Sequence, residues 1–288
     1  MSIVRCFNTG TNSWLNRQLL GQLPRSAGDN SWGALTEESY VYDVDTNLWV
    51  PSTGGIQFNG VSNRYVQLPG TGNLSYEWDQ PFTIASWVRP NTGGAGYILS
   101  KFTEAALFFG YGIGYGSNTF AFWVVSDENG MRIHCDNTFT DRDAWYHVVA
   151  INEGTGDAVD NRIYVNGVEQ AFTIDENDLN ELSILNNVNV NAGARNNGQA
   201  PYGNAVSQTA VWDVGLSTAE VEELYGGGTF PWTDLNTLST ASDLQLWWRM
   251  DQYTSVGTTP DLSASGFDGT NVGLTTDYLV VADTDVGS

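Results

Sequence analysis

Apolar and β-branched residues recur along this chain in short blocks, separated by Gly, Asn, Asp and Pro. That spacing predicts strands rather than helices. Phe82-Thr83-Ile84-Ala85-Ser86-Trp87-Val88 reads as a strand closed by Pro90. Phe120 to Val125, the turn Asp127-Glu128-Asn129-Gly130 and Met131 to Cys135 read as a hairpin. Trp145 to Ile151 is apolar on both faces, as a central sandwich strand is. Arg162 to Val165 meets Asn166-Gly167 and then Val168-Glu169-Gln170. Asn-Gly between alternating segments is the strongest short-range hairpin signal.

One short helix is predicted. Ser217 caps it, Glu220 completes a capping box, and Val221, Leu224 and Tyr225 share a face before Gly226-Gly227-Gly228 stops it. The expected fold class is therefore all-β, an antiparallel β-sandwich or jelly roll. Three regions follow: a polar N-terminal arm over 1–50, the main strand series over 51–228, and a C-terminal extension over 229–288. The extension carries Leu244-Gln245-Leu246-Trp247-Trp248-Arg249-Met250 and is expected to complete or extend the sandwich.

Composition narrows the partners. The net charge is −22, which repels phosphate backbones, so no nucleic-acid partner is expected. No apolar run is long enough to insert in a membrane, and no signal-peptide pattern follows Met1. Cys6 and Cys135 are accordingly expected as free thiols.

The ordered segments resemble the laminin-G-like, concanavalin A-like lectin/glucanase superfamily. The residues that carry the resemblance are Ile56 to Val66, with Asn59-Gly60 in place of an Asp-Gly turn, the strand Phe82 to Pro90, Trp145 to Ile151 with the Tyr164 to Gly167 hairpin, and Ala210 to Asp213 followed by the short helix. The C-terminal Leu246 to Met250 and Asp261 to Thr270 resemble a segment that often opens such domains. Their late placement resembles capsid- and tail-associated proteins of bacteriophages. The resemblance implies a concanavalin A-like sandwich with sugar- or partner-binding loops, and a calcium site near the opening turn and the closing strand.

We looked for chemistry to match. Calcium needs several oxygen ligands, commonly with carboxylates among them. Here the opening turn offers Asn59 and Asn63 without an acid, and Ser207-Gln208 stands where relatives often carry acids. Asn59, Asn63 and Asp127 are the candidate metal ligands, and ordinary polar turns are the alternative. Glycoside hydrolysis needs two carboxyl groups at a fixed separation. No alternating acidic strand is present, and Asp175 to Glu181 reads as a solvated loop, so no enzyme is expected. Aromatic faces stack on sugars, which makes Trp78 the first candidate platform and Tyr111, Tyr115 and Tyr202 the next. Trp87, Trp123, Trp145 and Trp212 are expected in the core, and Gly110 to Gly116 as a strand or tight loop. Trp14, Leu15 and Arg17 are candidate docking residues of the arm.

The leading expectation is a virion structural protein, a capsid decoration or tail/fibre component assembled in the host cytoplasm. Its partners would be other virion proteins, cell-surface glycans and further copies of itself. A free carbohydrate-binding lectin is the alternative, and a divergent glycan-cleaving enzyme comes behind both.

Overall fold

In the computed structural model the described residues are 3–8, 13–18, 40–43, 48–51, 53–60, 62–90, 95–103, 108–127, 129–142, 144–228, 234–250, 257–274 and 279–281. Residues up to 53, and 279–281, are described as backbone strands. The chain divides into two units, Met1–Ser52 and Thr53–Ser288.

The first unit holds β1 (Ile3–Asn8) paired antiparallel with β2 (Ser13–Gln18), and β3 (Tyr40–Asp43) paired with β4 (Leu48–Pro51). The first of these hairpins was not legible as alternation, because its strands mix polar and apolar residues in no fixed order. Trp14, Leu15 and Arg17 fall in β2, opposite Phe7, Cys6 and Val4. Their side chains lie outside the described residues.

The second unit is the sandwich. Its strands in chain order are β5 (Thr53–Gln57), β6 (Tyr65–Leu68), β7 (Phe82–Arg89), β8 (Gly96–Phe102), β9 (Phe109–Gly116), β10 (Thr119–Ser126) and β11 (Asn129–Cys135). Then come β12 (Tyr146–Asn152), β13 (Arg162–Val165), β14 (Val168–Glu169), β15 (Phe172–Asn177), β16 (Val190–Ala192) and β17 (Ala205–Trp212). The last are β18 (Leu244–Trp248), β19 (Thr258–Thr259), β20 (Gly269–Val272) and β21 (Leu279–Val281). The described pairings are antiparallel. A nine-stranded sheet runs β15-β11-β10-β9-β8-β16-β6-β20-β19, and an eight-stranded sheet runs β14-β13-β12-β7-β17-β5-β21 with β18 alongside β17. Strands from the last 60 residues of the chain thus enter both sheets.

The two inner faces make one core. The nine-stranded sheet sends in Tyr111, Ile113, Phe120, Phe122, Val124 and Ile133; the other sends in Phe82, Ile84, Val88, Val148, Ile163 and Trp248. The outer face of the eight-stranded sheet is covered as well. Helix α1 (Thr218–Tyr225) and the following segment lay Val221, Leu224, Leu235 and Trp247 on Val149, Ile151 and Trp212. That second layer is why β7 and β12 read as apolar on both faces. The helix starts with the predicted capping box, Glu220 accepting from the Ser217 N–H at 2.7 Å, and ends on Gly226 at φ 59°. Gly226 supplies the left-handed conformation that an L side chain resists.

His147 lies under the end of this layer, between Trp87 and Tyr225 at ring-centroid distances of 5.1 and 6.1 Å. Burial pushes its imidazole down to about 3, so the ring is neutral at pH 7. This is the core histidine that its apolar strand predicts. Cys135 is a free, buried thiol that burial pushes up to about 12, which leaves it unreactive.

Among the described residues of the second unit, in contrast, no helix covers the part of the nine-stranded sheet's outer face around β8–β11. That asymmetry decides where a ligand can approach.

Candidate functional site: a glycine-floored groove on the outer sheet face

The alternation of β9 puts Tyr111, Ile113 and Tyr115 into the core, and so puts Gly110, Gly112, Gly114 and Gly116 on the outer face. Neighbouring groups fill the space over most of them, Asn186 over Gly110, the Phe102 ring over Gly112 and the Trp123 ring over Gly114, so that Gly116 is the one that lines the groove, together with Gly96 of β8. The neighbouring strands form the walls. On β10, Trp123 stands opposite Gly112, and its ring leans over Gly114. A Cβ at residue 114 would come within 3.0 Å of the Trp123 ring and 2.7 Å of the Gly96 carbonyl oxygen. On β8, Tyr97 meets Trp123 edge-on, with ring centroids 5.3 Å apart. Both rings are half-buried.

The polar side of the groove comes from β11 and β15. Arg132 places its guanidinium 5.5 Å from the centroid of the Trp123 ring. Its Nε lies 3.2 Å from Asp175 Oδ2, and His134 Nδ1 donates to that same oxygen at 2.8 Å. Asp175 reaches this position through a β-bulge. Arg132 pairs with Glu176 and Ile133 with Ile174, which leaves Asp175 as the extra residue. Bulges commonly re-aim a side chain in this way. Tyr97, Gly116, Trp123, Arg132, His134 and Asp175 are among the residues that line a groove of about 470 Å³, in the range that accepts a small ligand of a few rings. Burial raises the Tyr97 hydroxyl above its ordinary value, while the positive charges of Arg195 and Arg132 act to lower it. The phenol is therefore a neutral hydrogen-bond partner at pH 7.

The arrangement departs from several expectations. Trp123 is not in the core: in Phe120–Val125 the inward positions are Phe120, Phe122 and Val124, and Trp123 takes the opposite face. Asp175 is on an edge strand, not in a solvated loop. Tyr111 and Tyr202 are buried and offer no ring face to a sugar. Tyr111 spends its hydroxyl on the Leu74 carbonyl at 2.7 Å. Tyr115 borders the groove, but its ring is buried and its hydroxyl donates to the Phe139 carbonyl at 2.7 Å. The inward phase of β9 explains both tyrosines of that strand. Trp78 is half-buried, packs on the core and sits against Gly156, so it anchors its loop.

The metal candidates are not brought together. Asn59 and Asn63 occupy the turn before β6 at φ 60° and 73°, and Asp127 the β10–β11 turn at φ 58°. These are left-handed turn positions, which Asn and Asp tolerate best. β10 and β6 are four strand steps apart in the sheet, roughly 15–20 Å at the usual spacing, whereas calcium ligands lie within about 2.6 Å of the ion. The three residues do not fit one calcium ion. Among the described residues, no group of three or more His, Cys, Asp or Glu could hold a metal, and no helix is long and apolar enough to cross a membrane.

Comparison with known proteins adds the lineage. The sequence profile of the concanavalin A-like lectin/glucanases superfamily matches residues 59–222, more than half of the chain. No curated protein matches. Among solved structures, a Bacteroides ovatus protein inferred to bind carbohydrate is 17% identical with a TM-score of 0.49, over 80% of this chain and 62% of that one. The chain thus spans less than two thirds of that protein's length. A heptameric SAP-like pentraxin from Limulus polyphemus is 19% identical with a TM-score of 0.43, over 59% of this chain and 80% of that one. The binding domain of botulinum neurotoxin DC, solved with SialylT, is 17% identical with a TM-score of 0.37, over 51% of this chain and 35% of that one. At these scores the assignment rests on the sequence profile.

Proposed function

Because this chain belongs to the concanavalin A-like lectin/glucanase superfamily, we propose that it is a non-catalytic glycan-binding protein whose site is the glycine-floored groove. The observation that carries this reading is the half-buried Trp123 ring in the groove wall, leaning over Gly114 beside Tyr97 and the Arg132–Asp175–His134 cluster. An aromatic face takes the apolar face of a pyranose, and fixed charged groups take its hydroxyls. The fold alone would not support a function; the site must.

Binding is favoured over hydrolysis by the acids available. Asp175 is the one carboxylate among the described residues lining the groove, and it is engaged by both Arg132 and His134. Glycosidases of the common type need a second carboxyl roughly 5–9.5 Å away, with one of the two held protonated. A printed glycan array probed with the whole protein tests the reading. We expect retention on a defined subset of oligosaccharides, with no release of reducing ends. A blank array with folded protein would overturn it.

A second reading concerns the setting: the binding face is carried on a virus particle, as a decoration, tail or fibre component. It is favoured by the N-terminal unit, Met1–Ser52, a compact unit of its own with two antiparallel strand pairs that could serve for attachment. Co-sedimentation with purified particles at a regular copy number is the expected result. Protein that stays wholly in the supernatant would leave the free-lectin reading in its place.

A further inference from the structure

The outer face does not end at Trp123 and Tyr97. Tyr97 continues to Phe102 on the same strand, with ring centroids 5.3 Å apart. Beyond β8 comes β16, and just after it Arg195, whose guanidinium stands 4.7 Å from the centroid of the half-exposed Phe108 ring. The Arg195 side chain is braced by Gln199, whose Oε1 accepts from Nη2 at 2.5 Å, and by a backbone bond from Arg195 N to Gln199 O at 2.7 Å. The turn so closed carries Ala200, which forms part of the groove wall.

The face therefore has an arginine stacked on an aromatic ring at each end, with aromatic rings between them. Arg132 on β11 and Arg195 beyond β16 are separated by four strand steps, about 19 Å at the usual spacing. Both charges act on Tyr97, which lies on β8, three strand steps from β11 and one from β16. The ion pair of Arg132 with Asp175 runs through Nε, and its charge also acts on Glu176, the residue opposite it on β15. The Nε contact orients the guanidinium, and its Nη fork can take a further acceptor. A planar fork matches a carboxylate or a sulfate, and it does so on a stacked arginine better than on a lysine. The setting makes this placement informative: the chain carries 33 acidic residues against 11 basic ones, yet two of its arginines flank one groove.

We propose that the ligand is an acidic glycan chain laid across the strands, with sugar rings on Trp123 and Tyr97 and its carboxylate or sulfate groups held by Arg132 at one end and Arg195 at the other. This rests on the glycan-binding reading above and specifies its ligand class. The Asp175 carboxylate does not oppose it, since that charge is already shared between Arg132 and His134.

The test uses whole protein and four probes in calorimetry: hexagalacturonate and a heparin hexasaccharide as acidic chains, cellohexaose and maltohexaose as neutral ones. At least one acidic chain is expected to bind ten-fold or more tighter than either neutral chain. Binding of hexagalacturonate would show that carboxylates suffice, whereas binding of heparin alone, which carries carboxylates and sulfates, would show that sulfates are needed. Arg132→Gln and Arg195→Gln should each weaken the acidic chain about ten-fold and leave any neutral binding within two-fold. Arg132→Lys should fall between, because charge remains and the fork is lost. Neutral chains binding as tightly as acidic ones would overturn the acidic assignment while leaving a glycan-binding groove. So would equal losses for both classes in the arginine variants. Failure of all four probes together with a blank array would remove both.

Discussion

Lys101→Met is expected to lower the stability of the sandwich by about 3–5 kcal/mol, because it leaves buried backbone carbonyls without their donor. Lys101 is the chain's only lysine and is 2% exposed. Its ammonium has three protons, and each finds a backbone carbonyl: Thr71 at 2.6 Å, Asn73 at 3.0 Å and Val188 at 3.0 Å. The side chain thus ties the 69–74 loop to the segment before β16. Methionine fills the same space and strands three acceptors, each worth about 1–3 kcal/mol if it stays dry. Urea unfolding of wild type and variant at pH 7 reads the difference. A loss below about 1 kcal/mol would show that the loops do not depend on this cation.

The same residue sets a pH dependence. Burial lowers Lys101 from 10.5 to about 8. The folded chain therefore releases this proton first, and between pH 8 and 10.5 the unfolded chain binds more protons. Stability from this group rises with pH across that window and is lowest below pH 8. The methionine variant lacks the slope, so wild type should gain on it from pH 8 to 10.5.

Trp123→Ala is expected to abolish most glycan binding while the fold persists. A central aromatic anchor typically carries 2 kcal/mol or more of a binding energy, which corresponds to about a 30-fold loss of affinity. Removing the ring also takes away the surface that Arg132 lies over and that Tyr97 meets edge-on. Because the ring is only half-buried, the stability cost should stay within about 1–2 kcal/mol. Trp78→Ala supplies the contrast. Its ring packs on the core and against Gly156, so it should cost stability and leave affinity unchanged. The reverse pattern, with affinity lost at Trp78 and kept at Trp123, would move the site to another part of the sandwich.

The strands were legible because the physics that forms them is local. Phe82 to Val88, the Asn166-Gly167 hairpin and the Ser217 capping box each carry their signal within a few residues, and β7, the β13–β14 turn and α1 stand where those signals lie. The site was not legible for the same reason. Trp123 looks like core because its neighbours on both sides are apolar; which face it takes depends on the phase of β10 in a sheet that only one layer covers. The Gly110 to Gly116 alternation was the available signal, since four glycines on one strand face leave room for a ring from the next strand. Asp175 was hidden differently. A bulge in register with Arg132 and Ile133 is a property of two strands separated by some 40 positions, and nothing within Asp175's own segment announces it. Lys101 likewise joins carbonyls from two distant loops, a relation that sequence alone does not display.

The most direct test of the central claim is a crystal structure of the whole protein with the oligosaccharide best retained on the array. The expected result is a sugar ring stacked on Trp123, with polar groups bonded to Arg132 or Asp175 and the chain running across β9 toward Tyr97. A sugar seated instead at the Asn59–Asn63 turn or against Trp78, with the Gly114 floor empty, would contradict it.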